Sequence, residues 1–361
     1  MPSDLIALNS LEARPGVPRC TAETVRPASP VGEAGRTVES SKGSSAVLKH
    51  VVRRLAVTVP VLIGVTFIVF AMVSFAPGDP INLMLGSETA NPENIERLRV
   101  ELGMDKPWYI QYANYMARLV RGDLGRSITF RRPVATQIRE RLPNTIILAT
   151  SSALVALIIA LPLGVIAAAK RRSIFDYGST TLAMIGVSLP GFYLGLLLII
   201  VFGLKLHWFP IRGMRGFDAG FVEFARHIVL PSVTLGASMA AILTRLTRAC
   251  VLETLSQDFI RTARAKGVHE RVVLYKHALR NALLPVVTTF GMQFGSLMGG
   301  AVITETIFSW PGLGMLAVNA VKQRDIPLIQ GTVLVFAVSF ILVTLATDLL
   351  YIFIDPRIRY E

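Results

Sequence analysis

Histidine and cysteine are the residues that most often bind metals or attack substrates, and here their spacing matches neither kind of site. Four of the five histidines are scattered without the spacing of metal ligands: His207, His227, His269 and His277. The pair His269-Glu270 lacks the second histidine of the zinc-protease helix motif. Cys20 and Cys250 are too few for a cysteine cluster or a disulfide framework. The sequence therefore predicts no metal site and no cofactor.

Nucleotide chemistry and covalent catalysis also lack their sequence motifs. A phosphate-binding P-loop requires a glycine followed directly by a lysine, and no Gly-Lys pair occurs in the chain. We find no nucleophile elbow, no metal triad and no paired carboxylates inside an apolar segment. We therefore predict no catalytic residue, and we expect any ATP hydrolysis to be performed by a separate chain.

The composition indicates a membrane protein. Hydrophobic residues make up 52% of the 361 residues and charged residues 17%, whereas soluble proteins carry about 25% charged residues. Six stretches without Asp, Glu, Lys or Arg reach or approach the roughly 20 residues that a helix needs to cross a bilayer. They are residues 55–78, 143–169, 177–204, 228–244, 281–304 and 326–347. The sequence thus predicts an all-α polytopic membrane protein with six transmembrane helices, embedded in a lipid bilayer.

Basic residues indicate the orientation of these spans. Three Lys or Arg side chains lie between positions 49 and 54, and three more follow the second span at 170–172. Residues 245–280 carry eight basic and three acidic side chains. Short loops rich in Lys and Arg stay in the cytoplasm, so both termini are predicted to be cytoplasmic. The net charge of +13 therefore reflects topology, and nucleic acid is not an expected partner.

Residues 1–46 form a tail of a different kind. Prolines at positions 15, 18, 27 and 30 interrupt it and four of the six residues 40–45 are serine, so it cannot bury a core and we expect it to be disordered. A regulatory tail is one interpretation. We favour the hypothesis that the start is mis-called, since the residues from 47 onward lead naturally into the first span. The transmembrane domain is accordingly predicted over 47–361.

The segment 79–142 is predicted to be an extracytoplasmic loop that is large enough to fold. Asn91 can cap a helix that Gly103 ends, and a second helix is expected over 107–121. Aromatic side chains along the second helix suit a membrane interface or a packed cap. They are Trp108, Tyr109, Tyr112 and Tyr115.

The segment 249–282 is predicted to be a cytoplasmic loop that contains a short helix. Ser256 and Asp258 can begin this helix and Gly267 can end it. Ile260, Ala263 and Ala265 would then give it a small-residue face, against which a cytoplasmic partner with a groove can pack. A solvated connecting loop is the alternative interpretation.

This loop carries the first part of a family resemblance. The sequence TARAKG at 262–267 resembles the coupling-loop motif of ABC importer permeases, with Arg261 in place of the usual acidic first residue. Further segments, in order through residues 47–361, resemble the dipeptide/oligopeptide/nickel branch of binding-protein-dependent inner-membrane permeases. They are PGDP at 77–80, LGMDKP at 102–107, RGDLGRS at 121–127, ERLP at 140–143, ETIFSWPGLG at 305–314 and DPRIRY at 355–360.

The resemblance implies a type I ABC importer transmembrane domain in a bacterial inner membrane. Such a chain forms half of a pathway for peptides or related solutes, together with a second permease subunit. Two ATPase subunits bind below the pathway and an extracytoplasmic solute-binding protein delivers the solute. Dipeptides, oligopeptides, glutathione-like peptides, nickel complexes and modified sugars or opines all remain open, as does a homodimeric or heterodimeric permease pair. The implied ATPase-coupling residues are Asp258, Phe259, Arg261, Ala263, Ala265, Lys266 and Gly267.

Three glycines in the fifth predicted span recur every four residues and therefore share one helix face. They are Gly291, Gly295 and Gly299. Small residues let helices approach closely within a bilayer. This face is predicted either to meet the partner permease or line the pathway, or to pack against another helix of the same chain.

An ion-coupled secondary transporter of small solutes is the alternative function. Such carriers usually hold buried acidic residues as a proton or ion relay. Here Glu305 and Asp348 lie at the ends of predicted spans, where we expect them to reach the membrane interface. The sequence therefore disfavours this alternative.

Overall fold

Helices are the main secondary structure in the part of the chain that the structure describes. The computed structural model describes residues 56–71, 96, 100 and 105–354, so the predicted tail 1–46 lies outside the described residues, as does nearly all of the predicted helix near 91–103. Among the described residues, β pairing is limited to an isolated bridge between Arg126 and Pro133. The predicted all-α class is therefore confirmed.

Ten α-helices of eight or more residues lie in the described part of the chain, and two of them adjoin seven-residue π-helical turns. A π-turn, Ile199–Lys205, extends α5, and a second, Val273–Leu279, leads from a short helical turn, Glu270–Val272, into α8. The helices are α1 Ala56–Ala71, α2 Trp108–Val120, α3 Val134–Ala169, α4 Ile174–Ser188, α5 Gly191–Leu198, α6 Phe221–Leu255, α7 Asp258–Ala265, α8 Arg280–Phe308, α9 Leu313–Lys322 and α10 Ile326–Ile354.

Four continuous helical segments are long and apolar enough to cross a membrane, and they coincide with the second, fourth, fifth and sixth predicted spans. The third predicted span is instead a pair of helices, α4 and α5 with its π-turn, that meet at 106°. Pro190 causes this break because it lacks a backbone N–H and holds Leu189 in an extended conformation (φ −79°, ψ 127°). With this pair counted as one span, five of the predicted spans are matched, and the shorter apolar helix α1 lies within the first predicted span.

The centre of the bundle is the pair α3 and α6. Alanines of α3 line its contact with α6, at positions 149, 153, 156 and 160, and they pack against Met239, Ala240 and Leu243. The helices approach so closely that a Cβ added at Gly236 would lie 2.5 Å from the backbone oxygen of Ser152. Small residues therefore set the spacing of the two helices, as is usual where lipid provides no hydrophobic driving force.

The aromatic helix α2 packs against α1. Tyr112 contacts Phe67 edge-on at a ring-centroid distance of 5.5 Å, and Tyr115 stacks on Phe70 at 6.2 Å. The Tyr112 hydroxyl also lies 3.1 Å from Thr66 Oγ1. Burial, together with the neighbouring Tyr112, raises the pKa of Tyr115 to about 12, so this phenol stays protonated. The aromatic residues predicted to suit an interface or a cap thus attach α2 to the first span.

One end of the bundle, here the coupling end, carries α7, and the opposite end, here the outer end, carries the turn from α8 into α9. At the outer end Glu305 is fully buried, so the expectation that it reaches the interface is wrong. Its carboxylate accepts hydrogen bonds from Thr145 Oγ1 (2.6 Å) and from the backbone N–H of Met315 (2.9 Å). Thr145 Oγ1 in turn accepts the backbone N–H of Leu313 (2.7 Å). The side chain of Asp348 lies outside the described residues.

These bonds explain why a carboxylate is buried there. Leu313 and Met315 occupy the first turn of α9, where backbone N–H groups have no partner within their own helix. A negative charge at that position also matches the positive end of the helix dipole. Glu305 therefore caps a helix that follows its own at an angle of 80°.

Asp325 plays the same role one helix later. It is fully buried, and its carboxylate accepts the backbone N–H of Leu328 (3.3 Å) in the first turn of α10. The same carboxylate accepts the Ser127 hydroxyl (2.5 Å) and the Thr129 N–H (3.1 Å). It thereby ties the segment before α3 to the last span.

Candidate functional site: the coupling helix

The short helix α7 lies at the coupling end, and we call it the coupling helix. It begins after Gln257, whose backbone is extended, and Asp258 occupies its first turn. An acidic side chain there is favoured by the helix dipole. Asp258 also lies 3.4 Å from Arg261 one turn later, but both side chains are largely exposed, so this ion pair adds little stability.

Ile260 is the anchor of the coupling helix. Its side chain is fully buried and packs with Val273 and Ala278 of the π-turn that precedes α8. Half-buried Leu255, Ala263 and Val268 complete this cluster. A helix of eight residues is not stable alone. The burial of the Ile260 side chain stabilises it by roughly 1.5–3 kcal/mol. The contact therefore holds the helix in one rotational setting.

That setting decides which predicted coupling residues are accessible. Phe259 is 45% exposed on this helix, which lies outside the predicted spans. Ala263 faces inward with Ile260, so the predicted small-residue face is mostly used inside the chain, and Ala263 positions the helix instead of offering a contact surface. The remaining predicted residues are exposed together with Phe259: Asp258, Arg261, Ala265, Lys266 and Gly267.

Gly267 ends the coupling helix through a complete Schellman motif. The Gly267 N–H donates to the Arg264 oxygen (2.9 Å) and the Val268 N–H donates to the Ala263 oxygen (3.2 Å). This requires a left-handed backbone, and the φ of Gly267 is +76°. A side chain at this position would meet no atom within 4 Å, so the constraint is conformational and not steric.

A bidentate hydrogen bond orients the loop that follows the coupling helix. Arg264 donates through Nε (3.1 Å) and Nη2 (2.5 Å) to the carboxylate of Glu270. The hydrogen bonds from Arg264 to Glu270 raise the pKa of the guanidinium above its ordinary value. Because both side chains are partly exposed, the pair serves mainly to orient the loop.

The coupling helix is connected to the spans by continuous packing. Leu255 belongs both to the cluster around Ile260 and to a second cluster below it. The second cluster takes its buried members from three spans: Val165 and Ala168 of α3, Cys250 and Val251 of α6, and Ala282 of α8. Close-packed interiors transmit displacement. A movement of the coupling helix therefore reaches three membrane helices through direct contacts.

Comparison with known proteins identifies the family. A family model described as "Binding-protein-dependent transport system inner membrane component" matches residues 160–360, and the model of its N-terminal region matches residues 47–149. The chain belongs to this family. It is the permease subunit of an ABC importer, a multi-pass protein of the bacterial inner membrane.

Curated relatives and a solved structure agree with this assignment. The permease is 45% identical over 315 residues to the "Glutathione transport system permease protein GsiC" of Escherichia coli K12 and of strain CFT073, covering 87% of this chain and 100% of each relative. An inward-facing structure of the MetNI methionine ABC transporter matches at a TM-score of 0.50 and 18% identity, covering 61% of the permease and 96% of that chain. The latter match supports the fold alone.

A buried ion pair near the coupling end was not anticipated from the sequence. Asp176 of α4 is buried and accepts two hydrogen bonds from Arg248 of α6, from Nε at 2.5 Å and from Nη2 at 3.0 Å. The backbone N–H of Arg172 donates to the same carboxylate (2.9 Å). The pair ties the first half of the broken span to the helix that leads into the coupling helix. Its two residues are 72 positions apart, so no local pattern predicts it.

The three glycines of the fifth span have different surroundings in the permease. A Cβ at Gly291 would collide with the Thr347 side chain of α10, and a Cβ at Gly295 would lie 3.2 Å from the Phe340 ring. At Gly299 it would meet no described atom within 4 Å. Two of the three glycines thus face α10 of the same chain, and Gly299 is exposed on the surface of the subunit.

The end of the coupling helix provides a first test. We expect Gly267→Val to open the two Schellman hydrogen bonds, because a β-branched residue is strained at positive φ by about 1–2 kcal/mol. Gly267→Asn is the matched control, since asparagine tolerates this conformation. Hydrogen–deuterium exchange of amides 267 and 268 should accelerate about tenfold in the valine variant and change little with asparagine. Equal exchange in both variants would contradict the role given to the backbone here.

A graded glycine series provides a second test. Gly291→Ala should lower the unfolding temperature in detergent most, since overpacking costs about 1–3 kcal/mol. Gly295→Ala should have a smaller effect because the exposed Phe340 ring can shift. Gly299→Ala should leave the isolated subunit unchanged. Thermal unfolding of the three purified variants makes the comparison, and equal losses in all three would show that the packing against α10 is described incorrectly.

Proposed function

We propose that this permease forms half of a translocation pathway for short peptides, with glutathione-like peptides as the first candidates. Its 45% identity to a glutathione permease over the full length of that relative supports this solute class. The partners in the proposal are a second permease subunit, two ATPase subunits and an extracytoplasmic solute-binding protein. In this arrangement residues 249–282 lie in the cytoplasm and residues 79–142 lie outside it.

The observation that carries the proposal is the exposed face of the coupling helix. A large aromatic side chain, Phe259, and the basic side chains of Arg261 and Lys266 are all exposed on this helix, whereas Ile260 is buried against the bundle. Aromatic and arginine side chains are the usual anchors of protein interfaces. We propose that an ATPase subunit covers this face, and that closure of the ATPase pair moves the coupling helix and, through Leu255, the spans.

Buried acidic residues would favour an ion-coupled carrier, and the permease contains three among its described residues: Asp176, Glu305 and Asp325. Each of them already has a structural task. Asp176 is paired with Arg248, while Glu305 and Asp325 cap the N-termini of helices. A relay needs acids that exchange protons or ions along a path, and saturated caps at helix ends do not supply one.

Affinity purification from the native membrane in mild detergent tests the assembly. We expect an ATPase subunit and a second permease subunit to co-purify. After reconstitution, uptake of labelled glutathione or dipeptides should require ATP and the binding protein. Recovery of the chain alone, still moving solute without ATP, would overturn the proposal in favour of a secondary carrier.

The coupling face is tested by Phe259→Ala. Loss of an interface aromatic should reduce the ATPase recovered per permease by about tenfold and reduce ATP-driven uptake in parallel. Phe221→Ala is the matched control, because Phe221 is 72% exposed at the start of α6, at the outer end. If the two variants retain the same amount of ATPase, the ATPase does not bind at this face.

A further inference from the structure

A small cavity opens at the outer end between α3 and α9. Its volume is about 120 Å³ and its polar lining comes from Arg132, Gln137, Glu140, Arg141 and Asn319, with Met315 on its apolar side. Arg132 and Glu140 neutralise each other through an ion pair of 2.5 Å. The cavity is unrelated to the coupling helix, which lies at the other end of the bundle.

The lining is rich in hydrogen-bond donors that lack an acceptor. Gln137 is 6% exposed, and its Nε2 atom has no hydrogen-bond partner in the described part of the chain. A buried donor without a partner is unfavourable, so an acceptor is expected nearby. The side chains of Arg141 and Asn319 likewise take part in no hydrogen bond or ion pair among the described residues. Glu305 interacts with Arg141 electrostatically, but its carboxylate is occupied by Thr145 and the first turn of α9.

The segment of the chain that leads into the wall of the cavity is strongly basic. Residues 118–141 contain seven arginines and only two acidic residues. Six of the arginines are exposed: Arg118, Arg121, Arg126, Arg131, Arg132 and Arg139. Arg141 is the half-buried member and lines the cavity. Such a surface attracts an acidic partner over a distance of about a Debye length.

We infer that this cavity receives a carboxylate side chain of the solute-binding protein when that protein docks on the outer end. The inference rests on the proposed function, which supplies the partner. The cavity, with a volume of about 120 Å³, has room for an Asp or Glu side chain, and its unpaired donors and the basic segment 118–141 favour a carboxylate there. The guanidinium of Arg141 and the amides of Gln137 and Asn319 then supply donors to the carboxylate oxygens.

The test uses the complete transporter in nanodiscs of zwitterionic lipid and measures its affinity for the purified, solute-free binding protein. Arg141→Gln should weaken binding about tenfold or more, since loss of one partner of a desolvated charge pair has large effects. Arg141→Lys should retain most of the affinity. Arg121→Gln, an exposed arginine that does not line the cavity, should change affinity less than about twofold.

Substitution of the acidic residues in the binding protein identifies the occupant. One Glu→Gln or Asp→Asn change should reproduce the loss, and its effect should not add to that of Arg141→Gln. Size-exclusion chromatography of each variant verifies assembly. If Arg141→Gln reduces assembly, Gln137→Met, which removes the side-chain amide but keeps a similar length, is measured instead, and it should weaken binding severalfold.

Four outcomes would overturn the inference. Unchanged affinity in the assembled Arg141→Gln or Gln137→Met transporter would mean that the cavity holds water only. A loss confined to the solute-loaded binding protein would place the carboxylate of the solute there. A loss seen only in nanodiscs with anionic lipid would assign the cavity to a lipid phosphate. If the wild-type transporter binds no solute-binding protein at all, the proposed function fails and this inference fails with it.

Discussion

The burial of Ile260 against the π-turn before α8 is the contact on which the coupling end depends. The coupling helix has eight residues and cannot persist in water without tertiary support. Ile260 supplies that support and at the same time selects the face that remains outside. Leu255 links the same cluster to α3, α6 and α8. The cluster around Ile260 therefore sets the surface that faces a partner and also connects the coupling helix to the spans.

A different constraint acts at the outer end. Backbone N–H and C=O groups inside a membrane protein need hydrogen-bond partners from the protein, because water is absent. The chain turns sharply after α8, and Glu305 and Thr145 supply the acceptors that the first turn of α9 lacks. This geometry explains the residue types of the segment ETIFSWPGLG at 305–314. A Cβ at Gly312 would collide with the Glu305 carboxylate, and a Cβ at Gly314 would approach it to 3.0 Å. Trp310 is fully buried and donates to the Asn144 oxygen at 3.0 Å.

Features set by local composition could be predicted, and features set by distant contacts could not. Uncharged runs revealed the spans, and Gly267 marked the end of the coupling helix, because both depend on neighbouring residues. Periodicity alone assigned Ile260 and Ala263 to the outer surface, since it does not show which face of a short helix meets the bundle. The sequence likewise places Glu305 at the membrane interface, because it does not show which distant groups bind its carboxylate. Its partners, Thr145 and Met315, lie 160 and 10 residues away.

We propose that an ATPase subunit covers the face of the coupling helix opposite Ile260. The accessibility of a cysteine on that face measures this directly. In a Cys20→Ser background, where Cys250 is buried, Ala265→Cys reports on the coupling helix and Ala117→Cys on the exposed surface of α2. Both cysteines should react quickly with a hydrophilic maleimide in the isolated permease. In the assembled transporter, Cys at 265 should become protected while Cys at 117 keeps its rate. Equal reactivity at 265 with and without the ATPase would contradict the account.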